Sequence, residues 1–118
     1  MSVIYPWGCV VFRWRSAQTP EIAVDRLDAA RAAGALLLDV REPAEFASGH
    51  VPGAVNLPLG RVAAEAHRFA GRSVCVICRS GQRSLRAAAL LNRAGADAVS
   101  VAGGTRDWIA SGRAVTTG

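Results

Sequence analysis

Ser73-Val74-Cys75-Val76-Ile77-Cys78-Arg79-Ser80-Gly81-Gln82-Arg83-Ser84-Leu85-Arg86-Ala87-Ala88-Ala89-Leu90-Leu91-Asn92-Arg93-Ala94-Gly95 is the stretch on which the fold turns. Its first five residues are short, apolar and β-branched, as in a strand buried on both faces. The run from Leu85 is rich in Ala, Leu and Arg and stops at Gly95, which reads as a helix with a glycine C-cap. Cys78 therefore lies at the carboxyl end of a strand, just before a helix N-terminus. Open α/β sheets bind ligands at that edge. Loop N–H groups and the helix dipole favour an anion there.

The chemistry expected of Cys78 follows from this placement. The thiolate is the nucleophile, and an ordinary cysteine is mostly thiol at neutral pH. Loop N–H donors, the helix terminus and the charges of Arg79 and Arg83 all favour the thiolate. Gly81 lets the loop curl so that successive N–H groups form a nest. Cys75 lies inside the strand and reads as a structural residue.

Outward from this centre, 118 residues suffice for one domain with a modest core. An apolar content of 51% argues against disorder. No apolar stretch is long enough to span a bilayer. The first residues lack a basic lead and a small-residue cleavage site, so no signal peptide is expected. Three cysteines without a secretion signal suggest free thiols in a reducing cytoplasm. The net charge is +5 and every basic residue is arginine, yet the arginines are scattered and no base-stacking aromatic motif appears. Nucleic-acid binding is therefore not expected. The two histidines and the cysteines do not form a zinc pattern, and no cofactor is implied.

Strands and helices alternate along the rest of the chain. Residues 1–18 form a lead-in, with a strand suggested by Val10, Phe12 and Trp14 alternating with Val11, Arg13 and Arg15, and a turn at Tyr5-Pro6-Trp7-Gly8. Thr19-Pro20-Glu21 has the composition of a helix start, with that helix ending at Gly34. Ala35–Val40 reads as a strand, Glu42–Phe46 as a short helix with Arg41 and Glu45 paired, and Ala54–Asn56 as a short strand. Leu59–Phe69 reads as a helix and Ala98–Val101 as a strand. A last helix starts near Gly104 or Thr105, with Trp108 in the core. His50 reads as structural and His67 as exposed. Residues 113–118 read as a frayed tail. The alternation implies one α/β domain, residues 19–112, with a small, mainly parallel sheet and helices on both faces.

Several of these segments together resemble the rhodanese-like family. Leu38-Asp39-Val40-Arg41-Glu42, Glu45-Phe46 and Gly49–Asn56 are similar to its first motif. Val76–Ser84 resembles its active-site loop, and Gly103-Gly104 with Trp108 its closing motif. The resemblance runs from about Thr19 to Gly112 and implies a three-layer α/β/α fold and a sulfurtransferase. Cys78 would then form a persulfide. Arg79, Ser80, Gly81, Gln82 and Arg83 would bind the substrate: their N–H groups cradle the outer sulfur, and the Arg79 and Arg83 side chains attract the donor. The implied partners are a small anionic sulfur donor of the thiosulfate type and a thiol or protein acceptor.

Two other classes compete. Cysteine phosphatases and arsenate reductases of related fold have five residues between Cys and Arg, whereas Cys78 and Arg83 are separated by four. A regulatory binding module of the same fold commonly lacks the cysteine, which this chain retains.

Overall fold

The computed structural model describes residues 2–4, 10–12 and 19–118. Ser2–Ile4 (β1) and Val10–Phe12 (β2) pair antiparallel as a separate two-stranded sheet. The turn expected at residues 5–8 and the alternation at residues 13–15 lie outside the described residues.

From Thr19 onward a five-stranded parallel sheet organises the chain. Its strands are Glu21–Ala23 (β3), Leu36–Asp39 (β4), Val55–Asn56 (β5), Ser73–Ile77 (β6) and Asp97–Ala102 (β7), in the order β3-β7-β6-β4-β5. The helices are Leu27–Ala32 (α1), Pro43–Ser48 (α2), Leu59–Glu65 (α3), Gln82–Arg93 (α4) and Gly104–Ala110 (α5).

The two-residue period of the strands divides the core. Val74, Val76 and Cys78 face one cluster with Leu38, Val62, Ala87 and Leu91. Cys75 and Ile77 face the other, with Leu27, Leu37, Val101 and Trp108. Cys75 and Cys78 are therefore on opposite faces of β6, and both thiols are free. Burial pushes the Cys75 thiol up to about 12, so it stays protonated and inert.

Two expectations need correction. Thr19-Pro20-Glu21 does not begin a helix. Glu21–Ala23 is an edge strand in register with Ser100–Ala102, and Pro20 C=O accepts from Ser100 N–H at 2.9 Å. The open edge of β7 needs hydrogen-bond partners, and this requirement overrides the local helix-start composition. A 3₁₀ turn at Val24–Arg26 then leads into α1. Nor is residues 113–118 a frayed tail. Thr116 bridges His50 through two 2.8 Å backbone bonds, Gly118 N–H donates to Ala47 C=O, and the Trp108 indole donates to Ala114 C=O at 2.8 Å.

Replacing Cys75 by Ser puts a hydroxyl into an apolar cluster at a site with no exposure. A loss of about 1–3 kcal/mol in denaturant unfolding is expected, with alkylation of Cys78 unchanged.

Candidate active site

The loop after β6 is shaped by contacts from both directions. Gly81 adopts φ 108°, a left-handed conformation that turns the chain into α4. From the far end of the chain, the Thr105 N–H and hydroxyl both donate to Cys78 C=O, at 2.8 and 3.1 Å, and Arg106 N–H donates to Arg79 C=O at 3.0 Å. This approach requires Gly104, because a Cβ there would collide with the Cys78 and Arg79 carbonyl oxygens. Gly103, at φ 78°, makes the turn that delivers α5 to the loop.

The Cys78 sulfur sits at the centre of this loop and is almost fully buried. Gly81 N–H donates to it at 3.1 Å and Ser84 N–H at 3.4 Å, and the Ser84 hydroxyl lies 3.4 Å away. Burial pushes the thiol up. Hydrogen bonds from the Ser84 hydroxyl and from the N–H groups of Ser84, Gly81 and Ser80 outweigh it and bring the pKa below its ordinary value. These bonds, more than the arginine charges, favour the thiolate.

The two loop arginines have different environments. Arg83 is half-buried and makes a two-pronged pair with Glu45 of α2, at 2.7 and 2.9 Å. Arg79 is exposed and, among the described residues, has no ion-pair partner. The expected Arg41–Glu45 pair is replaced by two others. Arg41 turns back onto Asp39, with its guanidinium 2.9 Å from the carboxylate, and also donates to Gly49 C=O. Asp39 and Arg41 are both buried at the end of β4, and their pairing keeps Arg41 from Glu45. Glu45 is thus left to Arg83.

The remaining sequence candidates are structural or peripheral. His50 Nδ1 donates to Phe46 C=O at 2.8 Å, and the ring stacks on Phe46 with centroids 3.6 Å apart, so it is anchored on α2. His67 is exposed. Ser80 and Gln82 are exposed on the loop rim, and Gly81 is buried. No cluster of metal-ligating side chains occurs among the described residues.

The sequence pattern of the rhodanese-like domain family matches residues 19–111. The chain belongs to this family. A sulfurtransferase of Allochromatium vinosum is 38% identical over 79 residues, covering 65% of this chain and 74% of that protein. The Bacillus subtilis protein YrkF is 39% identical over 74 residues, covering 61% of this chain but only 40% of its own length. This chain therefore spans less than half of YrkF. A rhodanese-related protein from Thermoplasma volcanium superposes with a TM-score of 0.76 at 29% identity, covering 84% of this chain and 99% of that one.

Within this rhodanese-like site, three contributors escaped the sequence reading. Glu45 holds Arg83 from 38 residues away. Thr105 grips the loop backbone across 27 residues. Ser100 lies behind Ser84, their hydroxyls 2.7 Å apart. The only sequence signal for Ser100 was a polar residue inside an apolar strand.

The Arg83 hydrogen bonds outweigh partial burial and draw the Glu45 carboxyl down to about 2. Its folded pKa lies below the unfolded value of ~4.3, so the pair stabilises the fold above that pH. The contribution fades as pH falls through about 2. Glu45→Gln is expected to lose on the order of 0.5–1 kcal/mol at neutral pH, a modest figure because both side chains are part-exposed. Unfolding curves of variant and parent should converge as pH approaches the folded pKa.

Proposed function

We propose that the protein is a sulfurtransferase of the thiosulfate type acting through a Cys78 persulfide. The observation that supports this most directly is the ring of N–H and hydroxyl donors around the Cys78 sulfur, with its lowered pKa. A thiolate so prepared attacks the outer sulfur of thiosulfate. The S–S bond of the donor breaks and sulfite leaves with its electron pair. The new persulfide carries its charge on the outer sulfur, which the loop N–H groups of residues 79–83 would cradle. An acceptor thiolate, on a small molecule or a protein, then attacks that sulfur and Cys78 leaves as thiolate. This is two-step nucleophilic catalysis with an anion pocket, and it needs no cofactor.

The exposed Arg79 side chain would draw in an anionic donor. Arg83 acts at closer range: its charge is felt at Cys78, but Glu45 shares it. The family assignment and the sulfurtransferase of Allochromatium vinosum support the same chemistry. The free, unpaired thiols of Cys75 and Cys78 suit a reducing compartment such as the cytoplasm. The four-residue spacing from Cys78 to Arg83 disfavours phosphatase chemistry, since a shorter ring closes on one sulfur rather than on a tetrahedral oxyanion.

Mass spectrometry after incubation with thiosulfate should show one added sulfur on Cys78, and none in Cys78→Ser. A folded Cys78→Ser protein that still transfers sulfur would overturn the mechanism. Aryl phosphates should not be hydrolysed.

Steady-state kinetics of Arg79→Ala should show KM for thiosulfate raised about tenfold with kcat little changed, the pattern of lost uniform binding. A neutral sulfur donor should be affected much less. An equal loss with both donors would assign Arg79 to loop shape instead.

A further inference from the structure

Ser84 and Ser100 form a buried hydroxyl pair beside the Cys78 sulfur, and neither has any exposed surface. The two-residue period of β7 puts Ser100 and Ala98 on the sheet face that Cys78 shares. The Ser84 oxygen lies 3.4 Å from the sulfur, 3.2 Å from Gly81 C=O and 2.7 Å from the Ser100 oxygen. Among the described residues, Ser84 is the only side-chain hydrogen-bond partner of the Ser100 hydroxyl.

Proton counting assigns the direction of each bond. Each hydroxyl has one proton and two lone pairs. If Ser84 donated to Ser100, the Ser100 proton would be buried without an acceptor, a cost that folded interiors avoid. Ser100 is therefore the donor to Ser84. The single Ser84 proton then has two possible acceptors, Gly81 C=O and the sulfur. With Cys78 as thiol, S–H donates to Ser84, and Ser84 donates to Gly81 C=O. With Cys78 as thiolate, the charged sulfur is the stronger acceptor and draws the Ser84 proton. Every proton has an acceptor in both states.

We propose that Ser100 is a positioning residue: by donating to Ser84, it leaves the Ser84 proton free to serve the Cys78 sulfur when that sulfur is charged and Gly81 when it is not. Bonds in such a chain polarise one another, so the Ser100 bond strengthens the one from Ser84 to sulfur. Resting on the persulfide reading above, this device favours Cys78 as the attacking and departing thiolate. It does less for the persulfide, whose inner sulfur is uncharged.

The charged side chains on the elements that surround the loop are Arg79 on the loop itself, Arg83 on α4 with Glu45 and Glu42 of the α2 segment, the exposed Arg106 and Asp107 on α5, and the buried Asp39–Arg41 pair at the end of β4. All of them remain in Ser100 variants.

The test is the pH dependence of Cys78 alkylation by iodoacetamide in the full chain, read on the Cys78 peptide by mass spectrometry. Ser100→Ala should raise the midpoint by about half a pH unit, roughly threefold less thiolate below it, and Ser84→Ala by about one unit. Ser100→Cys keeps the shape with a weaker donor and should fall between parent and Ser100→Ala. The double variant Ser84→Ala/Ser100→Ala should match Ser84→Ala alone, because Ser100 acts only through Ser84. An unshifted midpoint in both Ser100 variants, or a Ser100 effect that persists in the Ser84→Ala background, would overturn the proposal. Alkylation requires no sulfur donor. A protein that shows these shifts but never forms a persulfide would refute the sulfurtransferase reading and leave the hydroxyl relay standing.

Discussion

The grip of α5 on two carbonyl groups of the Cys78 loop is the constraint from which the rest of the site follows. In a trans peptide, C=O and N–H point in opposite directions. Arg106 N–H takes up Arg79 C=O, so the N–H of the same peptide group, that of Ser80, is turned the other way, towards the sulfur. Thr105 takes up Cys78 C=O with two donors. The glycine at 104 belongs to this arrangement because any side chain there would occupy the space of those carbonyls. A turn at one end of the sheet thus orients the N–H groups around a sulfur encoded 27 residues earlier.

Charge in the site is arranged in pairs that shape the loops and leave one arginine over. Asp39 and Arg41 neutralise each other inside the protein and, with Asn56 donating to both of their carbonyls, fix the chain after β4. Glu45 and Arg83 tie α2 to the start of α4. These pairs reduce the net field at the sulfur, so short-range hydrogen bonds do most of the stabilising of its anion. That division suits the role proposed for Cys78, which is to attack, hold a sulfur and leave. Donors aimed at one atom discriminate between its charged and uncharged states more sharply than a diffuse positive field does.

The opposite fates of the two described cysteines illustrate the same selectivity. They are three residues apart, and the pleat sends them to opposite faces. Cys75 packs in an apolar cluster, where burial outweighs the charge of Arg31 and holds it as a thiol, whereas Cys78 reaches the strand end, where unpaired backbone donors are available. Burial acts on both, and only hydrogen bonding separates them.

Short-range order was legible in the residues themselves. The apolar period of Ser73–Ile77, the Ala/Leu run to Gly95 and the glycines at 81, 103 and 104 express backbone preferences that act within a few positions, so they located the strand, the helix and the cysteine between them. The resemblance of those motifs to rhodanese-like domains added the family. What the tertiary structure alone decided is which distant groups meet. Glu21–Ala23 became a strand because β7 offered an open edge, and residues 113–118 were held because His50 offered a backbone bridge. Glu45 chose Arg83 over Arg41 because Asp39 had already claimed Arg41. Ser100 came to stand behind Ser84 because β7 lies next to β6 in the sheet. Each of these choices depends on strand order and through-space distance, and neither is encoded by any period of two or 3.6 along the chain.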